Sequence, residues 1–133
     1  MMVYLIAYGV AALVMAGLDY LWLTNTVGPL YHRHLGAVMA DVPDMRAAVA
    51  FYLVYIGGIL FFAVRPALAS GDWKTALLHG ALFGFFAYAT YDLTNLATLK
   101  SWSLPVSLID MAWGTVLTGA AGAIAAFVAL RFR

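Results

Sequence analysis

Four long apolar stretches, joined by short segments that hold most of the charged residues, dominate the pattern of this chain. They run approximately over residues 3–24, 47–65, 75–97 and 105–130. Each reaches the roughly 20 residues that a helix needs to cross the hydrocarbon core of a bilayer. The pattern therefore predicts an all-α, integral membrane four-helix bundle with short connections, a single transmembrane domain over residues 1–133.

Composition supports this class of protein and excludes others. Hydrophobic residues make up 65% of the chain and charged residues 10%, which leaves too little polar surface to cover a soluble domain. The net charge of +1 argues against a nucleic-acid partner, and the absence of cysteine excludes disulfides and thiolate ligands. No basic residue precedes the first apolar stretch, so we interpret it as a retained span and not as a signal peptide.

The distribution of positive charge predicts an orientation. Alternating spans place four basic residues on the side of the termini and three on the other side. The first group is Arg65, Lys74, Arg131 and Arg133, and the second is Arg33, Arg46 and Lys100. By the positive-inside rule, both termini are expected to be cytoplasmic.

Three of the six acidic residues, Asp19, Asp92 and Asp110, lie inside the apolar stretches. A charged side chain at the centre of a membrane helix costs roughly 2.5–3.5 kcal/mol on insertion scales, so each is a candidate catalytic residue. Each lies about four or five residues from one end of its span. At ~1.5 Å per residue, all three are expected some ~6–8 Å inside the same membrane face.

Polar and aromatic residues accompany these acids. The pattern D-x-x-W begins at Asp19 and again at Asp110, and D-x-x-N begins at Asp92; a spacing of three puts each pair on one helical face. The candidate substrate-binding residues are Tyr20, Trp22, Asn95, Lys100 and Trp113. The alternative for the aromatic residues is the belt that Trp and Tyr form at membrane interfaces.

The acids suit two chemistries. With His32 and His34, which we place in a loop on the same side, they offer oxygen and nitrogen ligands for a divalent metal ion, the one cofactor that the residues suggest. Carboxyl groups held together in an apolar site also share protons, which suits general acid catalysis or a proton relay. In a purely structural role, the acids would accept hydrogen bonds or pair with Lys100 or Arg33.

Small residues predict close helix packing. Gly80 and Gly84 form a G-x-x-x-G in the third stretch, and small residues recur every four positions in the fourth, from Gly114 to Ala126. Such stripes let helix backbones approach closely. They predict a compact bundle, and the fourth helix also offers a surface for a homo-oligomer.

Three segments centred on the acids, Gly17–Leu23, Tyr91–Asn95 and Asp110–Gly114, together resemble a family of small bacterial predicted membrane proteins. The family is domain-of-unknown-function family twenty-one seventy-seven, and the resemblance extends over nearly the whole chain. It implies an association with enzymes that modify membrane fatty acids, including cyclopropane-synthase-like proteins and flavin oxidases. It implies no activity and no catalytic residues. We expect a location in the bacterial inner membrane.

Three functions follow in order of preference. In the first, acyl chains of membrane lipid enter between helices and the three acids handle or modify a headgroup near one interface. The second is a proton- or cation-coupled transporter or channel for a small solute. A transporter with four spans requires an oligomer. Its acids would lie near one membrane face and not at the midplane, where transporter sites usually lie. The third is a non-catalytic membrane subunit of a lipid-modifying partner enzyme. Whether the chain is itself an enzyme stays open.

Overall fold

The computed structural model describes residues 1–133 and consists of helices without strands, which confirms the all-α prediction. There are four long helices, each ending where a short connection begins. They are α1, Met2–Leu35; α2, Met45–Ser70; α3, Trp73–Thr98; and α4, Leu104–Phe132. Two of them contain π-helical segments, Leu23–Tyr31 in α1 and Leu60–Val64 in α2.

Three of the four helices are long and apolar enough to cross a membrane. These are α1, α2 and α4, with 34, 26 and 29 residues. Helix α3 is also long enough, with 26 residues, but His79, Asp92 and Asn95 are among the polar side chains that make it less apolar. A fourth span at residues 75–97 therefore stays a prediction.

Side chains fix where the helices begin. The Asp44 carboxylate accepts a hydrogen bond from the Arg46 N–H, and Asp72 does the same for Lys74, as expected for N-caps. The Ser103 hydroxyl accepts the Val106 N–H at the start of α4. Between α2 and α3, Gly71 adopts a left-handed conformation with φ 72°, which reverses the chain within two residues.

The first helix is longer than the sequence predicts. We expected it to end near Thr24 and placed His32 and His34 in a loop, but helical structure continues to Leu35. The segment passes through Pro29, which lacks an N–H, by adopting the wider π-helical winding. Thr24 and the neighbouring Asn25 donate side-chain hydrogen bonds to carbonyls of the preceding turn, which supports this winding.

Helix α4 is the most buried element and runs antiparallel to both α1 and α3. The contacts of Gly80 with Thr118 and of Gly84 with Gly114 show that the G-x-x-x-G of α3 faces the small residues of α4, as its spacing predicts. Helix α4 also packs on α1, and Leu117 is fully buried in a core cluster that includes Ala11 and Met15 of α1. Backbones in such close contact hold α3 and α4 in a fixed register.

Helices α2 and α3 are close at one end and separated at the other. Near Gly71 the Leu60–Ser70 part of α2 packs along α3, whereas the backbone of Met45–Ile59 diverges from it. Aromatic side chains bridge the gap, with Tyr55 stacked on Phe83 at a ring-centroid distance of 5.1 Å. The divergence leaves a cleft between the two helices that leads inward to α4.

The close crossing of α3 and α4 gives a direct prediction for Gly84→Ala. A Cβ atom there would overlap the Gly114 carbonyl oxygen and the Thr118 side chain, so the backbones must separate. We expect a loss of about 1–3 kcal/mol in the free energy of unfolding, measured by denaturation in mixed micelles. Gly9→Ala is the matched control, because no atom lies within 4 Å of a Cβ at Gly9. Equal stability of the two variants would contradict the close crossing.

Candidate functional site

The three aspartates predicted to share one membrane face come together at one end of the molecule. The carboxyl groups of Asp92 and Asp19 each lie near enough to that of Asp110 for their charges to interact with it. Helices α1, α3 and α4 each supply one acid. We call this set of three residues the acid cluster.

The two D-x-x-W patterns are joined across the antiparallel helices α1 and α4. The indole N–H of Trp113 donates a hydrogen bond to Asp19 Oδ1 at 3.2 Å, so the tryptophan of one pattern binds the acid of the other. Trp22 stacks on Trp113 with ring centroids 4.4 Å apart and planes 3° from parallel. This partly buried pairing favours a structural role for Trp22 and Trp113 over a simple interfacial belt.

Asp110 has a partner that the sequence analysis missed. The Tyr31 hydroxyl donates a hydrogen bond to Asp110 Oδ1 at 2.6 Å, and the Tyr31 ring meets Trp22 edge to face at 6.2 Å. Tyr31 reaches this position only because α1 continues through its π-helical segment. The pattern held no signal for it, since Gly28 and Pro29 are residues that usually end a helix.

Asp92 differs from the other two acids. Its side chain is 1% exposed, and neither carboxylate oxygen has a hydrogen-bond donor. The adjacent Asp110 carboxyl offers no donor when both groups are ionised, and one proton shared by the pair would satisfy only one of the two Asp92 oxygens. Buried polar groups are nearly always hydrogen-bonded, so a bare carboxylate here is costly and needs an explanation.

Two neighbouring cavities are lined by residues of the acid cluster. The first, of about 440 Å³, fills the cleft between α2 and α3 and is called the lateral cavity. The second, of about 250 Å³, lies between α3, α4 and the end of α1 and is called the end cavity. Tyr91 and Asp110 line both. The lateral cavity is otherwise lined by Phe51, Tyr55, Ala87 and Tyr88.

Several predicted site residues lie away from these cavities. Tyr20 is 67% exposed, Lys100 is exposed in the α3–α4 connection, and the half-buried Asn95 lines neither cavity. No acid of the cluster pairs with Lys100 or Arg33, since the one salt bridge of the chain joins Arg46 to Asp44. The predicted substrate-binding roles of Tyr20, Asn95 and Lys100 thus gain no support from their positions.

The two histidines predicted as metal ligands do not join the acid cluster. His32 and His34 are exposed on the last turn of α1. No group of three or more histidine and acidic side chains is arranged to hold a metal ion. A metal site at the acid cluster stays a prediction that this arrangement does not favour.

The Tyr31–Asp110 hydrogen bond predicts that Tyr31→Phe destabilises the protein. The substitution removes one hydroxyl and leaves Asp110 Oδ1 without its donor, which costs about 1–3 kcal/mol in the free energy of unfolding. Tyr20→Phe is the control, because Tyr20 is exposed and its hydroxyl makes no hydrogen bond. An unchanged free energy for Tyr31→Phe would mean that Asp110 does not depend on this donor.

Because the Asp92 carboxylate lacks a donor, we expect Asp92→Asn to stabilise the protein, whereas Tyr31→Phe destabilises it. In lipid-depleted protein, an asparagine amide would remove the charge and donate to Asp110, raising the free energy of unfolding by about 1–3 kcal/mol. Asp44→Asn is a suitable control, since asparagine caps a helix as well as aspartate does. A lower stability of Asp92→Asn would show that the carboxylate already has a favourable partner.

Comparison with known families supplies the last observation. A family model described as "Predicted membrane protein (DUF2177)" matches residues 4–127, which includes all three acids. No curated protein and no solved structure matches the chain. The match confirms the resemblance of the three acid-centred segments. This chain, with its three apolar helices and its acid cluster, belongs to the DUF2177 family of predicted membrane proteins.

Proposed function

We propose that this protein is a multi-pass protein of the bacterial inner membrane that binds and handles a membrane lipid. In this proposal all four helices span the bilayer and both termini are cytoplasmic. The acyl chain occupies the lateral cavity, and the polar end of the lipid lies at Asp92 and Asp110. Membership of a membrane protein family and three apolar helices support the location.

The lateral cavity is the observation that carries the proposal. Its volume of about 440 Å³ falls within the range of ligand pockets. Aromatic and aliphatic side chains line it except at Asp110. Because α2 and α3 diverge beside it, a chain in the bilayer can enter sideways without crossing a polar region.

The position of the polar group also suits a lipid. Asp110 lies near the start of α4, whereas Thr118, the hydrogen-bond partner of Tyr55 on α2, lies two turns farther along α4, toward the middle of the molecule. The lateral cavity therefore has its carboxylate toward one end of the helices and its apolar wall toward their centre. A lipid has the same polarity, with its headgroup at the interface and its chain toward the bilayer centre.

The acids divide into two roles under this proposal. Asp92 and Asp110 line the cavities and are the groups that would touch a bound molecule. Asp19 lines neither cavity and is held by Trp113, so we assign it a positioning role between α1 and α4. Demanding chemistry on the lipid would require a metal ion or a cofactor held by a partner, because no cofactor motif is visible in the sequence.

Native mass spectrometry of the protein released from detergent tests the proposal. Ala87→Trp would fill the lateral cavity, so we expect a stoichiometric lipid in the wild type and its loss, by about tenfold or more in occupancy, in this variant. Ala97→Trp adds the same side chain at an exposed position of α3 and should retain the lipid.

The other outcomes separate the alternatives. Lipid bound equally by both variants would place it outside the lateral cavity and contradict the proposal. A bare wild type would also contradict it. A bare oligomer that passes protons or cations in vesicles, and loses this activity in Asp92→Asn, would instead identify a transporter. A bare protein that copurifies with a lipid-modifying enzyme would identify a non-catalytic subunit.

A further inference from the structure

Resting on the proposed lipid-binding function, we propose that the end cavity is a subsite for an ammonium group that carries N–H donors. Asp92 and Asp110 would accept its hydrogen bonds, and the surrounding aromatic rings would contact its charge. The ammonium belongs either to the headgroup of an aminolipid or to a small soluble amine. Both sources share the chemistry that the cavity selects.

Asp92 gives the first argument. It is 1% exposed and lines the end cavity, and both of its oxygens lack a donor. Its neighbour Asp110 uses one oxygen to accept from Tyr31 and lines the same cavity. A group that brings several N–H donors and a positive charge would satisfy both carboxylates at once.

The rest of the lining gives the second argument. No lysine, arginine or histidine lines the end cavity, so nothing there would offset the charge of a bound anion. Three aromatic residues do line it, namely Tyr31, Tyr91 and Trp102, and the last two meet edge to face at 5.7 Å. Carboxylates together with aromatic rings form the surroundings that proteins use to bind ammonium groups.

Other cations fit this cavity less well. A divalent metal ion requires more ligands than the structure gathers, since no group of three or more histidine and acidic residues is arranged to hold one. A quaternary ammonium carries the charge but has no N–H to donate, so the oxygens of Asp92 would stay without donors. The cavity therefore favours a primary or secondary ammonium.

The junction of the two cavities relates the subsite to a lipid. Because Tyr91 and Asp110 line both cavities, a molecule with its chain in the lateral cavity can reach the end cavity with its headgroup.

The test compares two lipids that differ only in their headgroup nitrogen. Wild-type protein in detergent is titrated with phosphatidylethanolamine and with phosphatidylcholine of identical acyl chains, and occupancy is read by native mass spectrometry. A charge-assisted hydrogen bond corresponds to about 10- to 100-fold in affinity, so we expect a preference of this size for phosphatidylethanolamine. Free ethanolamine, titrated in parallel, reports on a soluble amine.

Two variants make the test specific. Asp92→Asn should remove the preference while both lipids still bind, because the lateral cavity is unchanged. Asp44→Asn, an exposed change of the same type at the start of α2, should keep it. Thermal unfolding of both variants without lipid shows that they are folded.

The possible outcomes distinguish a failure of the ammonium subsite from a failure of the lipid-binding function. Equal binding of both lipids by the wild type, or a preference that persists in Asp92→Asn, would overturn the ammonium subsite and leave the lipid-binding function standing. Binding of ethanolamine but of neither lipid would support the subsite with a soluble amine as its ligand and contradict the lipid-binding function. Binding of none of the three would overturn both.

Discussion

A carboxyl group inside an apolar helical protein is costly unless it finds donors, and this constraint organises one end of the molecule. Asp19 obtains its donor from Trp113 on α4, and Asp110 obtains its donor from Tyr31 on α1. Both hydrogen bonds join the same two helices. The need of each acid for a donor therefore fixes how α1 and α4 pack on each other. The stacked pair of Trp22 and Trp113 fills the space between the two bonds.

The third acid, Asp92, differs from the other two because it has no hydrogen-bond donor. Asp92 is held in place because α3 packs tightly on α4 through Gly80 and Gly84, so the helix cannot turn its carboxylate away. The small-residue contact thus keeps a polar group where it has no donor. Natural proteins retain such costly arrangements mainly at functional sites, which agrees with the proposal that Asp92 meets its partner in a bound molecule.

The contrast between two helix pairs explains where a ligand can enter. Helices α3 and α4 meet backbone to backbone, whereas α2 touches α3 closely only beside Gly71 and is otherwise bridged by aromatic rings. Aromatic side chains can change rotamer without disturbing a helix, while a glycine contact cannot open without separating backbones. The lateral cavity lies between α2 and α3, whose bridging side chains can move. The acid cluster is instead held by helices in close contact.

The sequence by itself determined the helical class, the approximate start of each long helix and the position of the three acids toward one end of their helices, because these depend on local apolar runs and on counting residues along a helix. It also indicated which face of α3 packs closely on another helix, since glycine spacing reports close packing, and the structure identified that helix as α4. Only the tertiary structure decided that Trp113 binds Asp19, that Tyr31 binds Asp110, and that Asp92 lacks a donor. In spans that are apolar on all sides, periodicity does not fix the rotation of one helix against another. The structure also showed that α1 continues past Pro29 and thereby brings Tyr31 to Asp110, which the Gly28–Pro29 pair in the local sequence did not indicate.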